Sequence, residues 1–174
     1  MNEYEFTLKF FLPDSKESPE QYLEALSNAC DDAIVGLGST GRVALNFLRT
    51  ENNAVEALLT AIDDVKRAIP GAKLIEVTPD LVGVTDIAGI TGKSRQYIRK
   101  LMQQKGCPPP VYEDKLALWH LEDIAGWLID DCGYALDPSV RELAHITNLL
   151  NRYIYQEQTK IDPDTEKRVL SVCA

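Results

Sequence analysis

Residues 4–10 put Tyr4, Phe6, Leu8 and Phe10 on one side of an extended chain and Glu5, Thr7 and Lys9 on the other. Side chains alternate faces along a strand, so this spacing demands a sheet with one buried face. Such a sheet needs a cover, and the residues up to 80 supply it. Ser18, Pro19 and Gln21 read as an N-cap, a first-turn proline and a capping box. Tyr22, Leu23, Leu26, Ala29 and Cys30 follow at helical spacing. "AIVGLGSTGRVALNFLRT" reads as two strands joined by a glycine-rich turn. Asn53 is placed to cap a second helix, with Val55, Leu58, Leu59, Ile62, Val65 and Ile69 on its inner face. Pro70-Gly71 stops that helix, and "AKLIEVT" is a last strand.

The resulting order, βαββαβ, is the ferredoxin-like plan of four strands with both helices on one face. "GLGSTG", Gly36 to Gly41, matches a dinucleotide-binding pattern, but that pattern must open a helix whose N-terminus receives the pyrophosphate. Here Val43, Leu45 and Phe47 alternate as in a strand, so a hairpin turn is expected. Asp31-Asp32 and Asp63-Asp64 read as solvated helix faces. No residue constellation in this region points to a ligand or to self-association. An interaction or oligomerisation role is left open for residues 1–80, with a protein partner one of the roles open to them.

Charge is distributed unevenly. The chain carries a net −9, which opposes indiscriminate affinity for nucleic acid. Yet Lys93, Arg95, Arg99, Lys100 and Lys105 fall within residues 93–105, where no acid occurs. Gly92-Lys93-Ser94 ends like a P-loop, but the glycine required five residues earlier is Ile87, and no strand precedes it. "VTDIAGI" is instead a short helix, with Thr85 as N-cap. Gly92-Lys93 makes a tight turn, and Ser94 caps a second helix over 95–104 that Gly106 stops. Ile98, Leu101 and Met102 then face inward against Ile87 and Ile90, while Arg95, Gln96, Arg99, Lys100 and Gln103 face outward.

Two short helices about a glycine turn, with bases on the second, form a helix-turn-helix. Its second helix enters the major groove of double-stranded DNA. Arg95, Gln96 and Arg99 are suited to base edges, and Lys93, Ser94 and Tyr97 to phosphates. Proline-rich residues 108–110 follow, then two short segments, Val111-Tyr112 and Leu116–Trp119, that can pair as a wing. Asp123, Ile124, Trp127 and Leu128 belong to a further helix. Trp119 and Trp127 are expected in the core, and His120 is expected to cap or pack.

The stretch 81–128, with "VTDIAGITG", "SRQYIRKL", "PPPV" and "LWHLEDIAGWL" in that order, resembles the winged helix-turn-helix of the excisionase and AlpA-like regulators, relatives of MerR. The resemblance implies a base-reading helix carrying Arg95, Gln96 and Arg99, with Tyr97 and Lys100 against the DNA backbone. It departs at the wing turn, "EDK", where Glu113 and Asp114 oppose phosphate and only Lys115 helps.

Beyond residue 130, Asp137-Pro138 starts a helix to about Glu157. Leu143, Ile146, Leu150 and Tyr153 make a seam on it that either pairs with a second copy or packs onto its own domain. His145 reads as a surface or interface residue. Asp162-Pro163 marks a last short helix.

The expected fold is thus α+β: a ferredoxin-like domain (1–80), a winged helix-turn-helix (81–130) and a C-terminal helical segment (131–174). The expected function is sequence-specific binding of double-stranded DNA, as a homodimeric transcriptional regulator. The alternative is an antitoxin-like protein whose acidic first domain holds a partner while the DNA-binding module serves autoregulation. The four cysteines are scattered and only two histidines occur, so no metal or cofactor is expected. No nucleophile–base pair, paired-carboxylate motif or phosphate loop survives inspection, which argues against an enzyme. With no apolar run of membrane-spanning length and no secretory signal pattern, a cytoplasmic protein is expected.

Overall fold

The computed structural model describes residues 1–37, 39–104, 106–159 and 162–173. The molecule is α+β, and its sheets are antiparallel. β1 (Asn2–Phe11) lies between β3 (Arg42–Glu51) and β4 (Lys73–Thr78), with β2 (Ala33–Leu37) outside β3. β1 and β3 pair from Asn2↔Glu51 to Phe11↔Arg42. That register sets Phe6 opposite Phe47, with ring centroids 5.3 Å apart, and Leu8 opposite Leu45. The alternation in the sequence thus becomes one continuous apolar face.

The helices α1 (Leu23–Ala29) and α2 (Ala54–Ala68) cover that face together. Between Ser18 and α1 the chain forms a 3-10 turn, Pro19–Tyr22, rather than a first α-turn. Ser18 Oγ accepts from the Glu20 N–H at 3.4 Å, and among the described residues no Gln21 side-chain bond closes the expected box. A capping box needs α-helical spacing at the third residue, which the tighter turn does not provide. Asn53 caps α2 as expected, accepting from the Glu56 N–H at 2.9 Å. The inner face of α2 is Ala54, Ala57, Leu58, Ala61, Ile62 and Val65. Val55 and Leu59 lie outside it, 38% and 46% exposed. Three small alanines at helical spacing let α2 sit close to the sheet, and the 3.6-residue period turns positions 55 and 59 to the rim.

β2 and β3 join as a hairpin, Leu37 opposite Val43, with Gly41 at φ 78°, so the "GLGSTG" segment opens no helix. Gly38 of that segment lies outside the described residues. Asp32 and Asp64 are not simply solvated: they grip Arg49 of β3 at 2.7 and 2.9 Å. Thr60 accepts from Arg49 as well, and the Phe47 ring lies beneath the guanidinium. Burial alone would lower the Arg49 pKa, but bonds and charge from Asp32 and Asp64 outweigh it and raise the value.

A second core forms around β5 (Leu81–Val82), α3 (Val84–Thr91), α4 (Arg95–Leu101), β6 (Tyr112–Glu113), β7 (Ala117–His120) and α5 (Leu121–Asp130). The three short strands make a sheet in the order β5-β7-β6. α3 starts two residues earlier than expected, with Gly83 rather than Thr85 as cap residue. Asp86 explains this: its carboxylate accepts from the Gly83 N–H at 2.8 Å, so no capping hydroxyl is required.

α6 (Pro138–Gln158) spans both cores, giving Leu143 and Ile154 to the first and Ala144 to the second. Leu143 is buried, and Ile146 and Leu150 pack against the first core; only Tyr153 of the seam is largely exposed, at 62%. Most of the stripe that could have met a second copy is therefore used within the chain. The reason is β4, an edge strand whose open backbone and apolar side need a cover. α7 (Pro163–Cys173) follows, its Asp162 accepting from the Thr165 N–H; none of its residues is buried.

Candidate nucleic-acid interface

The helix pair α3–α4 is set by its turn. Gly92 ends α3 in the left-handed region, φ 65°, and lets the Lys93 N–H reach back to the Ala88 carbonyl at 3.0 Å. A β-carbon is strained in that conformation, which accounts for the glycine. Two residues on, Ser94 Oγ accepts from the Tyr97 N–H at 3.1 Å and starts α4. α4 ends at Leu101 with Met102 as cap, short of Gln104. Lys105 lies outside the described residues.

The inward side of α4 is Ile98 and Leu101, both buried, with Met102 partly so, against Ile87 and Ile90. At 3.6 residues per turn the opposite side centres on Gln96. Arg95 and Arg99 flank it on one side, and Tyr97 and Lys100 on the other. All five are exposed, as are Lys93 and Ser94 in the turn. Seven of the eight expected site residues are therefore exposed on α4 and the turn before it, with Arg95 and Tyr97 on opposite flanks of the helix. None of the ion pairs among the described residues engages Lys93, Arg95, Arg99, Lys100 or Lys115. Four cationic heads with no ion-pair partner among the described residues present an open surface to an anion.

Lys115 stands apart, exposed in the turn between β6 and β7 beside Glu113 and Asp114, which are also exposed. Trp119 and Trp127 are 8% and 4% exposed, and the Trp119 indole N–H donates to the Pro108 carbonyl at 3.0 Å. Both indoles are core groups and unavailable for stacking on a ligand.

One residue of this surface was not singled out in the sequence. Tyr134, beyond α5, places its hydroxyl 3.0 Å from that of Tyr97, within hydrogen-bond distance. This bond, then burial, pushes the Tyr134 phenol up to about 12. The local signal was Gly133, whose φ of 70° ends α5, but nothing in the sequence pairs residues 97 and 134.

Behind the strip, the second core is locked to the first through Asp80. Its carboxylate is 5% exposed. His120 Nδ1 lies 2.7 Å from Oδ1, and the Asn151 amide donates to Oδ2 at 2.8 Å. Thr147 donates to the Pro79 carbonyl at 2.6 Å, and the Leu121 N–H to the Asp80 carbonyl at 2.7 Å. Tyr4 of β1 donates to Glu142 of α6 at 2.7 Å, and burial followed by that bond raises its pKa. His120 thus packs at the junction. His145 is exposed and pairs with Glu122 at 2.6 Å.

Among the described residues no cluster of His, Cys, Asp or Glu is arranged to share a metal ion, and no helix is long and apolar enough to cross a membrane. No family model, curated protein or solved structure matches the chain.

Proposed function

We propose that the chain is a sequence-specific double-stranded DNA-binding protein, a transcriptional regulator that reads the major groove with α4. In this reading residues 81–130 are a winged helix-turn-helix of the excisionase and AlpA-like kind, and residues 1–80 a ferredoxin-like domain. The strand order β2-β3-β1-β4, with α1 and α2 on one face, supports the second assignment. The sequence of two helices, a hairpin and a third helix supports the first. The observation that carries the function is the outward surface of α4: Arg95, Gln96 and Arg99 beside Tyr97 and Lys100, without ion pairs among the described residues.

Lys93, Ser94, Tyr97 and Lys100 set the register on phosphates, with Lys115 a lesser contact from the wing. Arg95, Gln96 and Arg99 read bases, each good bidentate contact giving about 1–3 kcal/mol of discrimination. The acidity of the remaining surface suppresses binding to random duplex. Two copies on a palindromic site are expected, because one short helix reads few base pairs. Selection of bound duplexes from a random pool tests the reading. A consensus should emerge for the unaltered chain and vanish for Arg95→Ala and Arg99→Ala, with the circular dichroism of both variants unchanged. A consensus that survives both substitutions refutes the role of α4.

A second reading has residues 1–80 hold a protein partner, antitoxin-like, with DNA binding kept for autoregulation. An open groove of about 680 Å³ between α2, β4 and α6 favours it, with Leu59, Leu74, Leu150 and Tyr153 among its lining. A neighbour-encoded protein that co-purifies with the unaltered chain and is lost on Leu59→Glu would support it. A lone homodimer would count against it.

A further inference from the structure

We infer that Tyr134 is part of the DNA-binding surface: it positions the Tyr97 hydroxyl so that the Tyr97 proton points outward to a phosphate oxygen. The inference rests on the reading of α4 as the DNA-binding helix.

Tyr134 is brought there by the end of α5. Asp131 and Cys132 N–H groups both return to the Trp127 carbonyl, at 3.0 and 3.1 Å. Gly133 then takes φ 70°, and the Tyr134 N–H closes on the Leu128 carbonyl at 2.8 Å. This cap holds the Tyr134 backbone against the same core that holds α4 through Ile98 and Leu101. The ring of Tyr134 is half-buried, packed on that core, so the phenol has little freedom. Tyr97 is 47% exposed and lies one helical turn before the exposed Lys100 on α4, with Lys93 exposed in the turn that precedes the helix.

The direction of the hydrogen bond matters. The two hydroxyls lie 3.0 Å apart, and a phosphate oxygen only accepts, so once Tyr97 donates to phosphate Tyr134 is the donor between the two phenols. A phenol has one proton, so Tyr97 keeps its own for an outside acceptor. Accepting one bond also polarises the hydroxyl and makes it a better donor. A free tyrosine on a helix surface would have to give up rotational freedom on binding; here the partner has already restrained it. Two phenols therefore act as one neutral clamp beside two lysines. Neutrality also means that this contact releases no counterion and adds nothing to the salt dependence of binding.

The test uses the full chain, a selected duplex and a random duplex, with Tyr97→Phe, Tyr134→Phe and the double variant. Each single variant should weaken both duplexes equally, by about three- to tenfold, since a phosphate contact carries no sequence information. The double variant should be no weaker than Tyr97→Phe alone, because Tyr134 acts only through Tyr97. The slope of affinity against salt should stay unchanged in all three. Titration of the phenols by ultraviolet absorbance gives a readout without DNA: Tyr97→Phe should bring the Tyr134 titration down towards an ordinary tyrosine. Full affinity in Tyr134→Phe, or additive losses in the double variant, overturns the inference alone. Failure of the unaltered chain to bind any duplex overturns it together with the function proposed above.

Discussion

Asn151 offers the sharpest test of how the two cores are joined. Its side chain sits on α6 and takes both backbone groups of Val77 on the edge strand β4. It accepts from the Val77 N–H at 2.8 Å and donates to the Val77 carbonyl at 2.7 Å. The same amide donates to Asp80 Oδ2 at 2.8 Å. The residue is 3% exposed. Asn151→Leu keeps the size and branching of the side chain but removes all three bonds. Two buried backbone groups and one carboxylate oxygen then lose a partner in a space that the leucine fills, excluding water. At about 1–3 kcal/mol for each stranded group, with some relaxation, the loss should be about 3–5 kcal/mol. Stabilities of single domains are about 5–15 kcal/mol, so this is a large fraction. Asn151→Ala removes the same bonds but leaves room for a water to bridge Val77 and Asp80, and should cost less than the leucine variant. Urea denaturation gives the comparison: both midpoints fall, Leu further than Ala, with the slope unchanged. If the leucine variant equals the unaltered chain or exceeds the alanine variant, the junction is held by apolar packing and the polar account is wrong.

Two other outcomes follow from the first domain. Arg49→Met removes the cation that Asp32 and Asp64 share, leaving only the exposed Arg67 on Asp64, and should cost about 3–5 kcal/mol in thermal or chemical unfolding; adding Asp64→Asn should recover part of it. Burial, followed by the nearby Asp64 charge, pushes the Cys30 thiol up from 9.0 to about 11, while Cys173 is exposed. Alkylation of the folded chain at neutral pH should therefore mark Cys173 well before Cys30. The folded state holds the Cys30 proton more tightly than the unfolded state. Its contribution to stability is thus complete below pH 9 and declines as pH rises towards 11; Cys30→Ala should flatten that part of the stability profile.

Local rules made much of the architecture legible before any coordinates. The alternation at Tyr4, Phe6, Leu8 and Phe10 required a half-buried strand, because a strand has only two faces. Asn53, Ser94 and Asp137 announced helix starts, because each binds a backbone donor two or three residues ahead. The cationic strip was legible for the same reason: residues 93–100 are neighbours in sequence as well as in space. Tertiary structure decided the partnerships between distant residues. Arg49 with Asp32 and Asp64, Asp80 with His120 and Asn151, and Tyr97 with Tyr134 leave no periodic mark, because each joins residues far apart in the chain. The seam on α6 shows the limit most clearly. Its spacing required a partner surface but was equally satisfied by a second copy or by its own sheet. The unpaired edge of β4 settled where most of it went, since buried backbone groups must find a partner and Asn151 was in reach.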